Sequence, residues 1–145
     1  MTSSLSSSTW RLLGLSVATS YIGLGSIGLL APGFAAKGFG LYPDKAVSPA
    51  ASQPTALNKA EDLHAHSVET AMSLLAVRDI SIGVALFAFD YQRQPRAMAT
   101  LIFSGVVLCV GDVAVIWKNR GTAWGTAFAF GAGLWMAIAS GLWDQ

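Results

Sequence analysis

An all-α membrane protein, a bundle of four transmembrane helices, is the fold class this sequence predicts. Three observations carry it. Over 145 residues the hydrophobic fraction is 53% and the charged fraction 12%, about half the ~25% charge of an ordinary soluble domain. Four apolar runs each reach the ~20 residues that a bilayer crossing needs. None of these runs alternates apolar with polar residues as a barrel strand would. The length bounds the chain at a single domain, 1–145.

The first span is placed over 10–31. Leu12 to Ala36 is free of charge, and Pro32-Gly33 supplies its break. Met1 to Thr9 holds no basic residue, and the apolar run exceeds the ~7–15 residues of a secretory signal core, so it reads as a retained span. The second span, 66–89, carries Arg78 and Asp79 at its middle; the third, 97–117, has Asp112 as its one charge; the fourth, 122–143, has none. A long loop, 33–63, joins the first two. Within it Gly33 to Leu41 mixes Phe34, Phe39 and Leu41 with Lys37 and reads as interfacial, while Ala46 to Asn58 is a Pro, Ser and Ala connector without periodicity.

This order puts the N-terminus, the Asp90 to Arg96 turn and the C-terminus on one side, A. The long loop and the Lys118 to Gly121 turn lie on the other, B. Trp10, Tyr91 and Trp143 fall at A and Tyr42, Trp117 and Trp124 at B, as aromatic belts require. Lys37, Lys45, Lys59, Lys118 and Arg120 outnumber Arg11, Arg93 and Arg96, which turns B toward the cytosol.

Composition also excludes some classes. A net charge of +1 offers no basic field to displace counterions from phosphates, so nucleic acid is not an expected partner. Cys109 is the only cysteine; no internal disulfide and no thiolate metal site follow. His66 and Glu69 share a helix face, but two such groups make a weak ligand set, and no metal is expected. His64 and His66 read as interfacial.

The charges inside the spans are the chemical signal. A charge at bilayer depth costs roughly 2.5–3.5 kcal/mol on insertion scales, so it needs a partner or a use. Arg78 and Asp79 are ~100° apart on a helix and are expected to face different partners. Arg78 leans toward side B, where Asp112 lies on the third span, and an Arg78–Asp112 pair is the economical arrangement. Asp79 then has two readings: hydrogen-bonded to Thr19 or Ser20, or kept protonated by desolvation as an acid for an apolar substrate. Asp79 and Glu69 are thus the candidate catalytic groups, and Tyr21, Phe103, Trp135 and His66 the candidate walls of a funnel opening at side B.

Span four carries a small residue at every fourth position: Gly125, Ala129, Gly133, Ala137 and Gly141. Span one has Gly14, Ala18, Gly25 and Gly28 around Tyr21. Such stripes let backbones approach where lipid gives no hydrophobic drive for association. Packing within the bundle and docking of a separate protein on span four both stand as explanations.

Arg11-Leu12-Leu13-Gly14, Pro32 followed by Phe39-Gly40-Leu41, the run AVRDISIGVAL from Ala76 to Leu86, and Gly111-Asp112 together resemble a family of small four-helix membrane proteins. That family is common in fungi and described only as a domain of unknown function. Such proteins often carry a histidine in the last span; none stands in 122–143 here. The resemblance implies an endoplasmic-reticulum membrane setting and lipophilic polyketide or terpenoid intermediates. Two functions compete. One is an accessory subunit docked on a membrane-bound oxidative or cyclising enzyme such as a cytochrome P450, with any haem in that partner and no intrinsic cofactor. The other is a stand-alone, cofactor-independent cyclase or isomerase using Asp79. A small exporter is a weaker third, since span one lacks a coupling carboxylate.

Overall fold

A computed structural model describes residues 6–41 and 56–145, with side chains of the second stretch from Leu63 onward. The described chain is helical with no strand, in the order α1 (Ser7–Leu30), α2 (Pro32–Gly38), α3 (Ala56–Tyr91), α4 (Pro95–Ser104), α5 (Val106–Arg120) and α6 (Thr122–Trp143). Four stretches are long and apolar enough to cross a membrane: Ser7–Leu30, Leu63–Tyr91, Pro95–Arg120 and Thr122–Trp143. The expected four spans are present, each edge within about three residues of its sequence placement.

Local chemistry sets the ends. The Ser6 side chain accepts a hydrogen bond from the Thr9 backbone N–H at 3.3 Å, an N-cap for α1. The residue before a proline is pushed out of helical geometry, and Ala31 sits at φ −141° and ψ 62°. Pro32 then opens α2 at a position that needs no donor. α3 is 36 residues long, ~54 Å at 1.5 Å per residue, so its side B turns extend past a ~30 Å hydrocarbon core.

Two expectations change. The loop placed over 33–63 contains α2, and from Ala56 onward it is already α3. Of the connector placed over 46–58, residues 46–55 lie outside the described residues and 56–58 are helical. The third span is also two helices, broken at Gly105. Its N–H is shared between the carbonyls of Leu101 (3.2 Å) and Ile102 (3.1 Å). A Cβ on Gly105 would sit 3.0 Å from the Tyr21 hydroxyl oxygen, so the break and the tyrosine occupy the same place.

α1 and α3 are the most intimately packed pair. A Cβ on Gly25 would lie 2.7 Å from the Ala76 carbonyl oxygen and 3.0 Å from the Ile80 nitrogen; one on Gly83 would lie 2.9 Å from the Ala18 carbonyl oxygen. The glycines therefore seat each helix against the other's backbone. On side A, α4 and α6 close over this pair, and Val17, Ala18, Leu86, Met98, Ile102, Ile138 and Leu142 fill the core. Arg11 clamps the side A ends, its Nε and Nη2 donating to the two Asp90 carboxylate oxygens at 2.7 and 2.8 Å.

Toward side B the bundle loosens. α5 packs on α6, and α3 and α5 share no substantial contact. One polar strap crosses there: Arg120 Nη1 donates to the Gly38 carbonyl at 3.0 Å. Gly40, in the left-handed region at φ +72°, lies against Asn119 and Arg120 in the same place.

Replacing Gly25 or Gly83 by valine should therefore lower stability by ~1–3 kcal/mol through overpacking. Gly23, which has nothing within 4 Å of a Cβ, should accept valine with little change. Unfolding of the purified variants in mixed-detergent titrations measures the difference.

Candidate intramembrane site

Arg78 and Asp79 stand midway along the membrane-spanning part of α3, Leu63–Tyr91, with side chains 31% and 20% exposed. The ion pair they form is with each other. Arg78 Nε and Nη2 both donate to Asp79 Oδ1, at 3.0 and 2.9 Å. This corrects the expected Arg78–Asp112 tie, and with it the expectation that the two neighbours face different partners. The reason lies in how α3 is seated. Ala76 and Gly83 mark the face held against α1. At ~100° per residue Asp79 starts ~60° from that face and Arg78 ~160° from it. α5 does not pack on α3. The long guanidinium folds back along its own helix to the nearest carboxylate.

Asp112 is half-buried on α5 and makes no hydrogen bond or ion pair with the described residues. It lies within electrostatic reach of both Arg78 and Asp79. Cys109, one turn earlier on the same face of α5, is within reach of the same three charges. From α1, Tyr21 joins this group, its ring 6% exposed and tilted at 45° against Trp135 of α6 with centroids 4.8 Å apart. Tyr21, Arg78–Asp79, Cys109 and Asp112 thus converge from three helices around the gap between α3 and α5, with Trp135 behind. With both carboxylates ionised, one guanidinium faces two of them. The excess negative charge suits a ligand group that donates hydrogen bonds or carries positive charge.

The arrangement redistributes the candidate roles. Both donors of Arg78 converge on one oxygen of Asp79, whereas the oxygens of Asp112 are engaged by no described group. Asp112 therefore has both carboxylate oxygens open to a ligand among the described residues, whereas Asp79 has one oxygen committed to Arg78. Thr19 and Ser20 offer Asp79 nothing; they donate to the Leu15 and Ser16 carbonyls of their own helix at 2.9 and 2.8 Å. Glu69, His66 and His64 are exposed on the side B part of α3, and Glu69 Oε1 lies 3.3 Å from where a Gly33 Cβ would be. Phe103 stands apart from the cluster, edge-on to Trp143 at 6.2 Å beside Ser140 and Asp144. Of the expected wall residues, Tyr21 and Trp135 lie together beside the cluster. Cys109 was missed, although its spacing of three from Asp112 puts the two on one helix face.

The small stripe of α6 divides. Gly125 is covered by the Trp117 ring, 2.8 Å from a Cβ there, and Gly141 by the Trp10 ring, whereas Gly133 has nothing within 4 Å. Ala129 and Ala137 are exposed with it. Positions four apart drift by ~40° per step on a helix of 3.6 residues per turn. The stripe therefore winds from α5 round to α1, leaving its middle facing outward.

Residues 18–143 match a family described as Domain of unknown function (DUF4267). No curated protein and no solved structure matches the chain. Among the motifs above, Arg11 to Gly14 precedes the matched stretch and the others lie within it.

Arg78→Gln should destabilise the protein by ~1–3 kcal/mol, because Asp79 loses its charged donors inside the bundle. The double variant Arg78→Gln/Asp79→Asn should recover part of that loss, and Asp112→Asn should leave stability unchanged. A double-mutant cycle on unfolding free energies in detergent checks all three; a large penalty for Asp112→Asn would return the ion pair to α5.

Proposed function

This chain belongs to the DUF4267 family, and we propose that it is an accessory subunit in the biosynthesis of a lipophilic secondary metabolite, polyketide or terpenoid in type. It serves a membrane-bound oxidative or cyclising enzyme, such as a cytochrome P450, in the endoplasmic-reticulum membrane of a fungus. Its own contribution is an intramembrane polar site that orients the lipophilic intermediate. Haem, where the chemistry uses it, resides in the partner. The observation that carries this reading is the outward track Ala129, Gly133 and Ala137 on α6, exposed and uncovered at its centre by any described helix. Small residues of this kind let a second protein's span approach closely in lipid. The Tyr21, Arg78–Asp79 and Asp112 cluster, reached through the gap between α3 and α5, supplies the substrate contacts.

A second reading is favoured by one specific feature, the unengaged carboxyl of Asp112. As a stand-alone cyclase or isomerase, the protein would donate a proton from Asp112 to an alkene carbon or an oxygen of the substrate. The new carbon–carbon bond would form at the electron-poor centre, and a proton would return to the carboxylate. That sequence consumes no oxidant or reductant. Asp112 takes the acid role that the sequence suggested for Asp79.

Microsomes containing this chain alone should leave the intermediate unchanged, and mild-detergent capture from the producing cell should recover a membrane-bound oxidative or cyclising enzyme. Gly133→Leu should cut that recovery about tenfold, or ~1.4 kcal/mol, with the variant still folded. Conversion by this chain alone, lost ~10²–10⁴-fold in Asp112→Asn as for an acid–base residue, would favour the stand-alone enzyme instead.

A further inference from the structure

We propose that a groove along the outer face of α5 and α6 binds one acyl chain of an anionic membrane lipid, with Lys118 holding its headgroup. The groove has a volume of about 580 Å³ and is lined almost wholly by apolar atoms. Val106, Val110 and Val113 form its α5 wall, and Ala129 and Ala132, too small to fill it, form its base on α6. The groove borders the partner track proposed above at Ala129, while Gly133 and Ala137 are not among its lining residues.

Length and charge identify the occupant. From Val106 to Lys118 the wall rises through twelve residue steps, ~18 Å at 1.5 Å per residue, close to the ~15 Å depth of one hydrocarbon leaflet. It begins near the bilayer centre, at the helix break, and ends at the side B interface beside Trp117, where belt aromatics sit at headgroup level.

Lys118 lines the mouth and makes no hydrogen bond or ion pair with the described residues. Its neighbour Arg120 is already engaged, by the Gly38 carbonyl at 3.0 Å and by the Trp124 ring at 4.3 Å. No acidic residue lines the groove. The aliphatic stem of a lysine can follow an apolar chain while its ammonium reaches the headgroup. The site therefore selects an amphiphile with one straight apolar tail in the groove and negative charge at its head.

The test uses the full chain reconstituted in phosphatidylcholine vesicles. Trace phosphatidylglycerol or phosphatidylcholine carries a nitroxide midway along one acyl chain, and electron paramagnetic resonance reads the motionally restricted fraction per protein. Phosphatidylglycerol should be retained about fivefold over phosphatidylcholine, the factor one basic side chain contributes near an anionic headgroup. Lys118→Gln should bring the ratio to about one, and Lys118→Arg should keep it. Ala132→Phe, which fills the base, should release the retained lipid without changing helical content.

Equal retention of the two lipids would overturn the proposal, as would a preference that survives Lys118→Gln. Cys109 also lines the groove and is the chain's single cysteine. Efficient Cys109–Cys109 oxidative cross-linking in the vesicles would place a second copy there and overturn it as well.

Discussion

The close approach of α1 to α3 is the constraint on which the rest of this structure depends. Gly25 brings α1 against the backbone of Ala76 and Ile80, and Gly83 brings α3 against the backbone of Ala18 and Ile22. In lipid, where burying apolar surface gains little, such backbone proximity and its dispersion contacts supply the attraction. It also fixes the rotation of α3. With Ala76 and Gly83 committed to α1, Asp79 must face the bundle's inner side and Arg78 must begin nearly opposite α1. Every property of the polar cluster follows from that rotation.

Side A and side B use that pair differently. On side A, α4 and α6 complete a closed core around Leu86, Met98 and Ile102, and the Arg11–Asp90 clamp joins the helix ends. On side B, α5 departs with α6 from the break at Gly105, and the strap from Arg120 to Gly38 holds the ends together. The gap left between α3 and α5 holds Tyr21, Arg78–Asp79 and Asp112.

Much of the fold was legible because the bilayer imposes coarse requirements. Span number and approximate edges follow from length and apolarity, and Pro32 marks the end of the first span through backbone sterics that hold in any context. The two chain segments hardest to read were those whose state depends on neighbours. α2 is too short to announce itself by periodicity, and the break at Gly105 exists where Tyr21 of another helix presses on it. Polar residues were located but mispaired. Asp112 and Arg78 lie within the spans where the sequence put them, yet pairing depends on which helices pack together, and α3 and α5 share no substantial contact.

The sequence by itself determined an all-α chain of four membrane spans, the depth of its interior charges, and the small residues through which its helices meet, since each is a property of a residue against lipid or of a residue against its own backbone. Only the tertiary structure decided that Arg78 turns to Asp79, that Asp112 is left unengaged among the described residues, and that the middle of the α6 stripe faces outward. Those outcomes depend on helix rotation and on a few ångströms of separation between helices far apart in the chain. A list of residues does not contain those quantities.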